Sequence, residues 1–375
     1  MRKEEIRGLI IYAIMIVVAL IVGLTVIRPS LEVYAPAKIG NLLFIVIVVI
    51  VAYLFNAIAL EILHVIGAKM GGYKVTSMNI LWFCFYNDGK TWKFGFKDFN
   101  GVCGETRITP KKEKTNANLL SWLPLFGFAA ELAGCIVVNS LVKGSVDSKV
   151  PWLASAALIF LLISSLLAFY NFIPLKLDSF TDGYRIRLFM KPVNIEAYNQ
   201  MLVIQDKQRL GEKVEKIPVF SEITEYTAEI NTSAFYKNLE DNNLEEANRI
   251  VDHLLENKKV INANDYNRLV AQKMYVAVLT LEKEETKKLY DSICPIEVRR
   301  FIANDGAMSS IRAYIMIAGM IEESQSEVLY AKTKIEKAKR RTPASVIKTE
   351  EKLLESTLEL IYKSHPKWEK ENAAE

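Results

Sequence analysis

Two kinds of hydrophobic pattern follow one another along the chain. Four long apolar runs, at about 8–27, 41–66, 119–141 and 150–173, dominate residues 1–190. Crossing the hydrocarbon core of a bilayer as a helix takes about 20 such residues, so the runs predict four transmembrane helices. The first run reads as a retained anchor rather than a signal peptide: its apolar stretch is long, and no small-residue cleavage site follows before Arg28. Beyond Lys191 the pattern changes, with apolar residues recurring at helical period among Glu, Lys, Asn and Asp. Residues 191–375 therefore predict an all-α domain in water.

Between the second and third runs the period shifts from helical to alternating. Trp82, Phe83, Phe85 and Tyr86 lead into Asn87-Asp88-Gly89, and Thr91, Trp92, Phe94 and Phe96 follow. Asn, Asp and Gly tolerate the positive φ of a tight turn, so this segment predicts a β-hairpin within about 73–108. So many aromatic rings without a core of their own place the hairpin in the membrane interface, where Trp and Tyr present an apolar body and a polar edge. In the last domain, polar joins occur at Asn242-Asn243, Leu281-Glu282 and Ile321-Glu322-Glu323. Their spacing of about 40 residues suggests stacked helix-hairpin repeats, and a plain helical bundle fits the same pattern. The predicted fold is an α-helical membrane protein: four transmembrane helices with an inserted interfacial β-hairpin, followed by an all-α, helical-repeat-like cytoplasmic domain.

Charge sets the orientation. Arg2, Lys3 and Arg7 precede the first run, and nine Lys and Arg residues lie between the second and third, from Lys69 to Lys114. By the positive-inside rule, that segment, both termini and the whole last domain are cytoplasmic. A net charge of +4 and the lack of a basic, aromatic-interleaved patch exclude nucleic acid as a partner. The four cysteines, Cys84, Cys103, Cys135 and Cys294, show no paired metal-ligand spacing and read as reduced thiols.

Ionisable residues inside apolar runs are functional candidates by default. The second run holds Asn56, Glu61 and His64, with Glu61 and His64 on one helix face. The fourth ends in Asn171, Pro174, Asp178, Asp182 and Gly183. Both clusters emerge on the cytoplasmic side, where they can meet at one depth.

This ensemble resembles the site-2 protease family of intramembrane zinc metalloproteases. That family carries His-Glu-x-x-His on one membrane helix, and Asn-x-x-Pro followed by Asp-Gly on another. Glu61 and His64 match the Glu and the second His; Asn171, Pro174, Asp182 and Gly183 match the second motif with a longer gap. The resemblance covers about residues 41–187 and implies His64 and Asp182 as metal ligands, Glu61 as general base and Asn171 as the group that orients substrate. It implies zinc as cofactor and points to a bacterial plasma membrane.

The first metal ligand departs from that pattern, because Leu60 stands where the family has His. A catalytic zinc takes three protein ligands and keeps a fourth position for water, and Leu cannot bind metal. Asp178 is the substitute that the sequence offers; Asn171 or Glu61 could also turn toward the metal, though recruiting Glu61 would remove the base, and Cys84 and Cys103 are remoter ones. The leading expectation is a scaffold that holds no catalytic zinc, a pseudoprotease that binds a transmembrane or peptide client and, through residues after 193, a cytoplasmic protein. The alternatives are a working metalloprotease with a non-standard ligand set, and an accessory subunit of a peptide-export or immunity system.

Overall fold

The computed structural model describes residues 3–28, 39–96, 104–112, 114–144, 151–175, 180–212, 214–342 and 344–368. The chain forms two compact units, Met1–Ile195 and Glu196–Glu375.

In the first unit, α1 (Lys3–Val22) runs into a π-helical turn at Gly23–Ile27. The helix α2 spans Ile39–Met70, α3 Leu119–Gly144 and α4 Pro151–Phe172. Four stretches are long and apolar enough to cross a membrane: Gly8–Thr25, which runs from α1 into the π-helical turn, Leu42–Met70, Leu119–Leu141 and Ser155–Phe172. Their outward faces carry Leu9, Val17, Ile47, Ile50, Phe126 and Val137, all exposed, which is the surface a bilayer would cover. At 32 residues, α2 is about 48 Å long at 1.5 Å per residue, longer than the roughly 30 Å apolar slab.

The hairpin expectation is extended by the structure. A four-stranded antiparallel sheet of order β3-β2-β1-β4 forms from β1 (Tyr73–Ile80), β2 (Phe83–Asn87), β3 (Trp92–Phe96) and β4 (Gly104–Pro110). The predicted aromatic hairpin is its β2–β3 half, with Phe85 opposite Phe94. The turn between them is closed by Asp88, whose Oδ1 accepts from the Lys90 and Thr91 amides at 3.0 and 2.8 Å, while Gly89 takes φ +99°. Phe83, Phe85, Phe94 and Phe96 gather on one face with ring centroids 5.0–6.1 Å apart, and all four are exposed. Strands β1 and β4 form the half that packs on α2, burying Tyr73, Val75 and Ile108.

A short helix, α5 (Asp182–Phe189), follows α4. Beyond it come α6 (Pro192–Leu210), α7 (Glu225–Glu240), α8 (Leu244–Glu256), α9 (Ala263–Thr280) and α10 (Lys283–Ile293). The last five are α11 (Ile296–Asn304), α12 (Met308–Met320), α13 (Gln325–Lys332), α14 (Ile335–Lys339) and α15 (Ala344–Ser364).

Every element of the second unit among its described residues is a helix, and the three predicted joins fall between α7 and α8, α9 and α10, and α12 and α13. Asn242 and Glu323, at two of them, take positive φ, the left-handed conformation that ends a helix. Packing runs from α7 to α8, α8 to α9, α9 to α12 and α12 to α15, around one continuous core that includes Phe235, Leu254, Met274 and Ile315. Inside it Arg312, 1% exposed, bonds Glu350 at 2.8 Å and Gln272 at 3.1 Å and stacks over the Tyr275 ring. A charge at that depth is held only because a carboxylate and an amide answer it.

Candidate functional site

Glu61 and His64 sit on the last third of α2, one turn apart. The Glu61 carboxylate is 4% exposed and accepts a short hydrogen bond from Thr106 Oγ1 on β4. Gly104 begins the same strand, and a Cβ there would collide with the Glu61 carboxyl group. The missing side chain is what lets the strand pass so close.

Pro124 fixes His64. It lies inside α3 and has no N–H, so the Leu120 carbonyl loses its partner four residues on. His64 Nδ1 lies 2.9 Å from that oxygen. A carbonyl can only accept, so Nδ1 carries the proton and Nε2 faces the other way. Nε2 points at Asp182 Oδ2, 3.8 Å distant.

Asp182 opens α5, capped by the Thr181 hydroxyl on the Tyr184 amide at 3.3 Å. Thr181 Oγ1 also donates to the Ile173 carbonyl at 2.7 Å and accepts from the Leu175 amide at 3.0 Å, which ties α5 to the end of α4. Gly183 is needed because a Cβ would overlap the Phe172 carbonyl. One turn further on, Arg185 Nη1 stands 3.8 Å from Asp182 Oδ1. Glu61 has His64, Arg185 and Asp182 in its electrostatic surroundings.

The fold thus gathers Glu61, His64 and Asp182 from two distant segments. Asn171, on the last turn of α4, is half-buried and bonds none of the three. Leu60 is half-buried on α2. Asp178 and Cys103 lie outside the described residues, and Cys84 is half-buried in β2. His253 and His365 belong to the second unit, bonding the carbonyls of Ser221 and Gly319.

The described residues do not fit a three-ligand zinc. His64 Nε2 and Asp182 are two donors, Glu61 is turned to Thr106, and the Arg185 cation already answers Asp182. Among the described residues no three His, Cys, Asp or Glu side chains are grouped to hold a metal ion.

A second polar cluster lies deeper in the helices and involves Glu131, which belongs to neither of the two sequence clusters. Ser164 Oγ donates to Glu131 Oε1 at 2.5 Å, and Asn56 Nδ2 lies 3.1 Å from the same oxygen and 3.0 Å from Ser164 Oγ. The signal was present as an acidic residue midway along an apolar run. The role of Pro124 was likewise readable as a proline inside a predicted helix. Arg185 could not be read this way, because its value lies in its distance from Asp182.

No family model, no curated protein and no solved structure matches this chain.

Proposed function

We propose that the first unit is a site-2-protease-like scaffold in the membrane whose proteolytic chemistry has lapsed, and that it acts by binding a transmembrane or peptide client. The observation that carries this reading is the make-up of the cluster around Asp182. Glu61, His64 and Asp182 lie together, Leu60 supplies no donor, and the Arg185 guanidinium provides the positive charge beside Asp182. A guanidinium neutralises a carboxylate without lowering the pKa of a water, so the arrangement keeps the architecture and not the nucleophile.

Two features support client binding. In the described sheet β3 is an edge strand, whose free N–H and C=O groups can pair with an extended peptide. Beside it the four clustered Phe rings offer an apolar surface at the depth expected for the interface. The second unit, read as cytoplasmic from the charge pattern, recruits a cytoplasmic protein. A groove there, lined by Phe220, Asn243, Arg249, Asp252 and His253, is a surface for such a partner.

The test is the comparison of Glu61→Gln with wild type in cells that express an epitope-tagged client captured by crosslinking. The scaffold reading expects equal capture and no cleaved product from either chain. Accumulation of the intact client in Glu61→Gln, with a fragment in wild type, overturns it.

A further inference from the structure

Glu131 stands midway along α3 with only half of its carboxylate answered. Both the Ser164 and the Asn56 bonds reach Oε1, and no described donor reaches Oε2. No Lys, Arg or His among the described residues pairs with Glu131, and its side chain is only half-buried. Asn56 Oδ1, on a residue 2% exposed, is also without a donor. Both deficits have one sign: the cluster has acceptors to spare, and the one at Glu131, on a side chain that is not fully buried, is the one a cationic donor suits. In hydrocarbon such a group is costly and calls for a partner.

The surface around it is shaped for a helix. Positions 127, 130, 131, 134 and 138 make one stripe on α3, filled by Gly127, Ala130, Glu131, Gly134 and Val138. Gly127 is covered by Leu63 of α2, whereas Ala130, Gly134 and Val138 are exposed, and a Cβ on Gly134 would meet nothing. Small residues on an exposed membrane helix let a second backbone approach closely. A free cation would answer the charge alone; a helix with a basic side chain answers the charge and covers the stripe.

We propose that this stripe docks a transmembrane helix of the client, and that the client carries Lys or Arg near the middle of its span to pair with Glu131 Oε2. The assignment rests on the client-binding reading above and adds to it the client's class and its recognition residue.

The full-length protein, labelled with a fluorophore in phosphatidylcholine vesicles, is mixed with synthetic leucine–alanine helices. These carry one Lys at the centre, one Lys near an end, or none, and association is followed by energy transfer. The central-Lys helix is expected to bind about tenfold more tightly than the other two. Glu131→Gln should erase that preference, and Glu131→Lys should transfer it to a helix with a central Glu. Equal binding of the central-Lys and Lys-free helices to wild type overturns the proposal while leaving client binding intact. If no helix binds, both readings fall. Stabilisation by sodium over choline, without preference for the central Lys, assigns Oε2 to a small cation and also overturns it. Because the helix series is read on the wild-type chain, the result does not depend on a variant that folds.

Discussion

His64 Nδ1 bonds the Leu120 carbonyl at 2.9 Å because Pro124, with no N–H, leaves that acceptor without its helical partner. The proline thereby decides which imidazole nitrogen looks toward Asp182. Such a bond also orients metal-binding histidines. Pro124→Ala returns an N–H to Leu120 and should release the ring. In ¹⁵N-histidine spectra the wild-type His64 is expected as the Nδ1–H tautomer and the variant as a mixture. A wild-type ring protonated on Nε2 and bare on Nδ1 would contradict the assignment.

Two glycines hold the site together at different costs. Gly183 abuts the backbone carbonyl of Phe172, which cannot swing aside, whereas Gly104 abuts the side chain of Glu61. Gly183→Ala should destabilise the detergent-solubilised chain by about 3 kcal/mol or more, and Gly104→Ala by about 1–2 kcal/mol. Thermal unfolding measures both, and the reverse order would refute the packing described.

In the second unit, the segment before α7 is held by its backbone. Asn231, fully buried, accepts from the Phe220 amide and donates to the Phe220 carbonyl, both at 2.8 Å. His253 Nε2 donates to the Ser221 carbonyl at 2.9 Å, and Thr227 Oγ1 to that of Glu222 at 2.6 Å. Asn231→Ala strips two buried backbone groups of their partners, at about 2–4 kcal/mol. Limited proteolysis should cut the variant within residues 214–222 under conditions where wild type resists. Equal resistance would show that the apolar contacts of Ile217 and Val219 suffice.

Much of this architecture was legible in the sequence, and the failures have physical causes. The four apolar runs and the β2–β3 hairpin are local signals, and each produced its element. The strand β4, Gly-Glu-Thr-Arg-Ile-Thr-Pro, carries no aromatic or alternating signature, because one side is polar and its pairing with β1 is long-range. Glu61, His64 and Asp182 were singled out because motif order marked them, and the fold brings them together. Glu131 announced itself by charge alone, but its meaning needed Ser164 and Asn56 from two other helices.

Acid should weaken one half-buried link in the second unit. Burial acts to raise the Asp305 carboxyl, but bonds from Arg268 at 2.8 and 3.0 Å and from Ser310 at 2.7 Å outweigh it and hold the group below the usual aspartate value. A depressed folded-state value contributes stability that is complete above the unfolded value of about 3.9 and is lost as pH falls through the folded one. Asp305→Asn should therefore cost about 2 kcal/mol near pH 7, with the gap from wild type closing as the pH drops below about 4. A gap that stays constant to pH 2 would assign the loss to packing instead.

The most direct test of the central claim is the metal content of the full-length protein purified without chelator and then equilibrated with zinc. With Leu60 in place of a ligand and Arg185 beside Asp182, the scaffold reading predicts no stoichiometric zinc in wild type, and a gain in Leu60→His if the pocket geometry has survived. One zinc per wild-type chain, lost on His64→Ala or Asp182→Ala, would contradict it.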